Sequence, residues 1–180
     1  ARLGSKRLTY KNLLPYQGEP LVLRAVRKLL ENENVDLVVL STDSELIART
    51  CLIDGVEILF RPESLSGDEV ASIPVFQHIL EHFPCDIHIN YNCNFPECEQ
   101  SVINKTIAVA KETGEALSNP YAAWAQTSEC LSSYGDPFQI TATQFDAPEV
   151  HSLDVHTMDD LLEVHRVHQN SFLWDEIKKK

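Results

Sequence analysis

The order of apolar segments along this chain is the feature that most constrains how the chain can fold. Short β-branched runs alternate with longer segments in which apolar residues recur every three or four positions. Such alternation predicts an α/β fold with a mostly parallel sheet covered by helices on both faces. The predicted strands are Val35–Leu40, Val56–Phe60, Asp86–Tyr91, Ile140–Phe145 and Val150–Leu153. The predicted helices are Leu21–Leu30, Glu45–Cys51, Val70–His82, Gln100–Glu112 and a last one from Met158; for Glu115–Phe138 we expect a strand and then an Ala/Ser-rich helix.

Length and composition predict a single domain. The chain has 180 residues, enough for a full core, and we find no repeat or interdomain linker. A net charge of −12 argues against nucleic-acid binding, and no stretch reaches the roughly eighteen apolar residues of a membrane span. Five irregularly spaced cysteines indicate reduced thiols, so a cytoplasmic location is expected.

Positive charge is concentrated at the amino-terminal end. Arg2, Lys6, Arg7 and Lys11 surround a glycine and a serine, and no acidic residue precedes Glu19. A loop of this kind can wrap a small polyanion, although a solvated basic terminus has the same composition. Phosphate-binding loops normally follow a strand that holds them, so we expect a first strand upstream of Ala1.

Four polar loops follow the predicted strands or precede the first helix. In open α/β sheets ligands bind at the carboxyl ends of strands, so these loops should converge on one edge. They carry cations, hydroxyls and amides, which suit a nucleotide better than an apolar ligand. The loops are Ala1–Asn12, Ser41–Asp43, Arg61–Asp68 and Asn92–Pro96.

Several ordered motifs carry a family resemblance. The opening A-R-L-G-S-K-R-L-x-x-K-N-L is followed by Gly18–Val22, Leu40–Asp43, Arg61–Ser72 and Leu153–Leu161. In order and spacing these segments resemble the cytidylyltransferases that activate acidic sugars of the sialic acid, legionaminic acid and octulosonate types, together with spore-coat polysaccharide relatives. The resemblance implies a Rossmann-like, three-layer nucleotide-diphosphosugar transferase (GT-A-like) fold.

The resemblance also implies a reaction and a set of ligand contacts. A sugar oxygen would attack the α-phosphate of CTP, giving a CMP-sugar and pyrophosphate; the partners are therefore a nucleotide and a small acidic sugar, and a homodimer is left open. Arg2 and Lys11 would be the catalytic cations on the triphosphate. The further nucleotide-binding residues implied are Gly4, Ser5, Lys6, Asn12, Arg61, Ser66, Gly67 and Asn92.

The implied metal site departs from the family pattern. Family members offer Mg²⁺ one or two carboxylates, because this ion prefers hard oxygen ligands. Here Asp154 is kept, whereas Asn94 and His156 occupy positions that are aspartate in the family motifs. We expect these three residues at the metal, with Mn²⁺ as an alternative to Mg²⁺ because it tolerates imidazole better. A turn role for Asn94 and a hydrogen-bonded loop role for His156 remain alternatives.

These departures leave other functions open. The altered residues, and the lack of any arginine or lysine between residues 115 and 150, favour a second hypothesis: a degenerate family member that binds a nucleotide, or nothing, and acts as a regulatory or assembly subunit. A third is an enzyme that uses a different nucleotide.

Overall fold

The computed structural model describes residues 1–4, 8–151 and 154–166. The strands are β1 (Pro15–Tyr16), β2 (Glu19–Pro20), β3 (Val38–Thr42), β4 (Val56–Phe60), β5 (Ile87–Tyr91), β6 (Glu115–Asn119), β7 (Ala123–Thr127) and β8 (Thr143–Asp146). The helices are α1 (Leu21–Leu30), α2 (Glu45–Thr50), α3 (Ser72–His82), α4 (Gln100–Thr113), α5 (Ser128–Ser132) and α6, described over 158–166. No helix in these ranges is long and apolar enough to span a bilayer.

Two separate sheets form the centre of the domain. In the first, β3 pairs in parallel with β4, from Val38 opposite Val56 to Thr42 opposite Phe60. The second has the order β5-β7-β6-β8, in which β7 runs antiparallel to both of its neighbours and β6 pairs in parallel with β8. The fold class expected from the sequence is confirmed, and its sheet content is mixed.

Helices cover both faces of the second sheet. Side chains alternate between the faces of a strand. Ala116 and Ala125 accordingly pack on Ala110 of α4, while Leu117 and Trp124 pack with the apolar side chains of α3. The domain therefore has three layers, helix, sheet and helix.

Most predicted elements are confirmed, with shifted ends. Helix α1 and strand β4 have the predicted bounds. Strand β3 begins at Val38 rather than at Val35, because the Val35 amide donates to Asn32 O and closes the turn after α1. The strand also extends through Thr42, so that Ser44 caps α2, its hydroxyl accepting from the Ile47 amide.

Two predictions fail. The segment expected to hold an Ala/Ser-rich helix instead contains the antiparallel strand β7 and only the short α5. Its alanines are needed because α4 lies directly on the sheet, where only small side chains fit. The strand predicted at Val150–Leu153 is also wrong: Pro148–Val150 forms a 3-10 turn, and residues 152–153 lie outside the described ranges.

Candidate functional site

A cleft of about 900 Å³ lies between β3 and β5, and its lining extends from the residues before these strands to the loops at their carboxyl ends. Its lining includes eight of the residues predicted as ligand contacts: Arg2, Gly4, Lys11, Asn12, Arg61, Gly67, Asn92 and Asn94. Ser66, Asp154 and His156 are not part of the lining. Ser5 and Lys6 lie outside the described residues. The predicted convergence of the four loops on one edge is therefore seen in the structure.

The first residues of the chain lie along the end of β3. The main-chain nitrogen of Ala1 donates to Ser41 O at 2.6 Å, and the Leu3 amide donates to the Asp43 carboxylate at 2.9 Å. Asp43 thus holds the loop backbone in place. At Gly4 a Cβ would meet nothing within 4 Å, so the space beside this glycine is open to a ligand.

Arg2 connects the first loop to the third. Its Nη1 lies 2.6 Å from the Asp68 carboxylate and 3.3 Å from Gly67 O. Both charged side chains are about one-third exposed. The guanidinium is therefore at the mouth of the cleft, in a pair that solvent reaches.

Asn12 connects the first loop to the fourth. Its side-chain nitrogen donates to Arg2 O at 2.8 Å, and its side-chain oxygen accepts from the Cys93 thiol at 3.2 Å. Lys11 begins a 3-10 turn that follows Tyr10, whose φ of 54° is left-handed. The turn places Lys11 in the cleft lining beside Asn12.

Arg61 lies across the carboxyl end of β3. Its Nε donates to the Ser41 hydroxyl at 2.8 Å and its Nη2 to Ser41 O at 3.0 Å. Burial lowers the pKa of the Arg61 guanidinium, with the charge of Asp43 opposing that shift and the charge of Arg2 adding to it. Because a guanidinium remains charged in proteins, Arg2 and Arg61 give the mouth of the cleft two permanent positive charges at neutral pH.

Asn92 shapes the loop that follows β5. Its side-chain oxygen accepts from the Asn94 amide at 3.1 Å, and its side-chain nitrogen donates to Tyr121 O at 3.3 Å. This is an Asx-turn, so the turn role that the sequence suggested for Asn94 falls to Asn92. Asn94 is buried, and its carbonyl accepts from the Val155 amide at 2.9 Å.

The Asn94–Val155 bond brings the three predicted metal residues into adjoining segments. His156 Nε2 lies 2.5 Å from Asp154 Oδ2, whereas Asp154 Oδ1 is buried and has no hydrogen-bond partner. An unsatisfied buried carboxylate oxygen fits a cation. Within the described ranges, no three His, Cys, Asp or Glu side chains form a metal-binding group, so this part of the chain offers one carboxylate rather than a complete cage.

Asp160 has a structural role. Its carboxylate accepts from the amides of His156 and Thr157 at 2.9 and 2.7 Å, and the Thr157 hydroxyl accepts from the Asp160 amide at 3.2 Å. This reciprocal cap begins α6, and those hydrogen bonds lower the pKa of the Asp160 carboxyl.

The sequence did not reveal two residues of α1 that contact the loop after β5. Arg24 and Lys28 each donate to Pro96 O at 3.2 Å, and Lys28 also contacts Cys98 O. The Lys28 ammonium lies 5.5 Å from the centre of the Tyr91 ring, and burial lowers its pKa. Because Arg24 and Lys28 are four residues apart, they lie on one face of α1. A solvent-exposed helix face has the same spacing of charges, so the sequence alone did not indicate this role.

Known proteins share both sequence and architecture with this chain. The cytidylyltransferase family model matches residues 1–166. The pseudaminic acid cytidylyltransferase of Campylobacter jejuni is 38% identical over 82 residues, which cover 45% of this chain and 35% of the relative. The chain thus aligns with about a third of that relative's length.

Among solved structures, the CMP:2-keto-3-deoxy-manno-octonic acid synthetase complexed with CTP superposes with a TM-score of 0.75, at 16% identity, covering 95% of this chain and 96% of the other. The Rv0371c protein of Mycobacterium tuberculosis in complex with manganese gives 0.62, also at 16% identity, over 92% of this chain and 96% of the other. At such identity these structures support the fold alone. The family match extends from the loop at the cleft mouth to helix α6, and the chain therefore belongs to the cytidylyltransferase family.

Proposed function

We propose that this chain carries the nucleotide-binding and catalytic residues of an enzyme that transfers CMP from CTP to an acidic sugar and releases pyrophosphate. One observation carries the proposal: Arg2, Lys11 and Arg61 line the cleft at the strand ends, in a chain of the cytidylyltransferase family. Transfer of this kind depends mainly on positioning and on neutralising the phosphate charge. Three cations from two loops at one end of the cleft are suited to both tasks.

Arg2 is positioned to exchange one anion for another. Its pair with Asp68 is partly exposed, and such a pair contributes at most about 1 kcal/mol. A triphosphate offers more charge and more acceptor atoms than one carboxylate, so it can displace Asp68 from Arg2. Lys11 and the open backbone at Gly4 would hold the remaining phosphate oxygens.

A divalent cation would bind at Asp154. The unsatisfied Oδ1 supplies a hard oxygen ligand, and His156 Nε2 and the Asn94 amide are candidate neutral donors. When bound, the metal would neutralise charge on the phosphates. We expect Mn²⁺ to bind more tightly than Mg²⁺, because imidazole suits Mn²⁺ better and only one carboxylate is offered.

The carboxylate of an acidic sugar must be recognised by residues outside 115–150. Residues 115–150 contain no arginine or lysine to hold a sugar carboxylate. The assignment of an acidic sugar is supported by the relative from Campylobacter jejuni, which is named for pseudaminic acid.

The direct test is pyrophosphate release from CTP with a panel of keto-acid sugars and either Mg²⁺ or Mn²⁺. We expect turnover with one sugar, and its loss in Lys11→Ala without a change in melting temperature. Arg49→Ala is the matched control, because Arg49 is exposed, pairs with Glu45 on α2 and is not among the residues that line the cleft. Unchanged turnover in Lys11→Ala would contradict the proposal.

The second candidate function is nucleotide binding without turnover. It is favoured by Asn94 and His156, which supply less negative charge to a metal than two aspartates would. If CTP raises the melting temperature while no sugar and neither metal gives pyrophosphate, this second function is the correct one.

A further inference from the structure

We propose that His78 and His82 of α3 form a binding site for one divalent transition-metal ion of the zinc type. The two imidazole rings would supply two nitrogen ligands, and water would fill the other coordination positions. Neither histidine lines the cleft, and neither takes part in the proposed transfer of CMP. This inference therefore does not depend on the proposed function.

The two imidazole rings lie next to each other at the carboxyl end of α3. Residues four apart share one face of an α-helix, and the centres of these rings are 4.6 Å apart, with 54° between their planes. Zinc–nitrogen bonds are about 2.0–2.1 Å long, so two nitrogens on one tetrahedral ion are about 3.3 Å apart. Rings at the observed spacing can each bring one nitrogen to that separation by side-chain rotation.

A hydrogen bond fixes which nitrogen of His82 is available to a metal. His82 Nδ1 lies 2.9 Å from His78 O. A carbonyl oxygen only accepts hydrogen bonds, so Nδ1 carries the proton and the lone pair of the neutral ring is on Nε2. Metal-binding histidines commonly have this arrangement, in which the other ring nitrogen donates to a carbonyl or a carboxylate. His82 Nε2 is therefore oriented as a ligand atom before any metal binds.

His78 offers a single ring nitrogen to an ion outside the helix. Its Nδ1 is buried and has no hydrogen-bond partner, whereas the residue as a whole is partly exposed. Its Nε2 is therefore the ligand atom. Because His82 is exposed, an ion can reach the pair from solvent.

The ligand atoms and the nearby charges determine which ions suit this site. Imidazole suits Zn²⁺, Ni²⁺ and Cu²⁺, whereas Mg²⁺ prefers oxygen ligands. The negative charge of Glu81 acts on His78 and favours a cation there, and the positive charge of Arg61 opposes it. The site should therefore hold zinc-type ions and reject Mg²⁺, unlike the carboxylate oxygen of Asp154.

A bound ion would have a stabilising role. Within the described residues, no third His, Cys, Asp or Glu completes a metal-binding group, whereas catalytic zinc sites have three protein ligands. An ion held by both rings links successive turns of α3, and an ion that binds only the folded protein raises its stability. Val75 and Phe76 of the same helix line the cleft, so the ion would also stabilise one wall of the cleft.

The test measures Zn²⁺ binding by the 180-residue chain at about pH 7.5, where an ordinary imidazole is neutral. Calorimetry compares the wild type with His78→Gln and His82→Gln. Three controls each change another possible ligand: His151→Gln at an exposed histidine paired with Glu99, Asp154→Asn at the other proposed metal site, and Cys85→Ser at an exposed thiol. Nuclear magnetic resonance of the histidine ring nitrogens in the wild type identifies the ligand atoms without any substitution.

We expect one Zn²⁺ site whose affinity falls at least about tenfold in both His78→Gln and His82→Gln and is kept in the three controls. In the wild type, Zn²⁺ should shift the Nε2 resonances of both rings together, and Mg²⁺ should shift neither. Equal Zn²⁺ affinity in all the variants, loss of the site in one of the three controls, or a shift of only one ring would overturn the proposal.

Discussion

The contact between Arg61 and Ser41 allows the sharpest test of how the cleft mouth is held. Arg61 makes two hydrogen bonds to this one residue, from Nε to the hydroxyl and from Nη2 to the carbonyl. Arg61→Met removes both while keeping much of the apolar stem. Ser41→Ala removes only the bond to the hydroxyl. A double-mutant cycle of these substitutions therefore isolates the Nε–hydroxyl bond.

The expected magnitudes follow from burial. Hydrogen bonds from a charged group contribute about 1.5–3 kcal/mol each, and part of this is offset because Arg61 is partly buried. We expect Arg61→Met to lower the free energy of unfolding by about 2–3 kcal/mol and Ser41→Ala to lower it by about 1 kcal/mol. The coupling energy between the two substitutions should be about 1–1.5 kcal/mol. For a chain of this size 1 kcal/mol corresponds to about 2–4 °C in melting temperature.

The assay is urea unfolding of the wild type, both single variants and the double variant, followed by circular dichroism. Arg49→Ala serves as the exposed control and should change the unfolding free energy by less than about 0.5 kcal/mol. A coupling below about 0.5 kcal/mol would refute the reasoning, because the two side chains would then be energetically independent.

Three further predictions concern ligand binding and pH. Arg2→Ala should weaken CTP binding at least about tenfold by calorimetry yet lower the melting temperature by less than about 3 °C, since its ion pair is partly exposed; an equal affinity would contradict the role of Arg2. Burial lowers the pKa of His88 to about 4, opposed by the hydrogen bond with Gln126, so the stability from its neutral ring is present above about pH 6.5 and is lost as the pH falls towards 4. His88→Gln should therefore have a smaller drop in melting temperature between pH 7 and pH 5 than the wild type, and an identical drop would exclude this histidine as the cause. Asp154→Asn should weaken Mn²⁺ binding at least about tenfold by calorimetry, whereas Asp159→Asn, at an exposed position on α6, should not; equal losses would place the metal elsewhere.

Much of the architecture and the location of the site follow from local patterns in the sequence. The bounds of α1 and β4 follow from the spacing of apolar residues within stretches of at most ten residues. This pattern can be recognised in the local sequence alone. The convergence of the polar loops follows from strand direction alone, and the ordered motifs indicated the cytidylyltransferase family that the family model confirms. These features required no knowledge of distant contacts.

Tertiary structure alone decided the remaining features, because each depends on residues far apart in the chain. The alanines of β7 favour a helix locally, yet packing beneath α4 makes them a strand. Lys28 lies on a helix face that would be solvated in isolation, and only the carbonyls of Pro96 and Cys98, about seventy residues later, give it a partner. The bond from Val155 to Asn94 and the cleft between β3 and β5 likewise arise only when separate segments meet, because the energy of such contacts belongs to the pair and not to either local sequence.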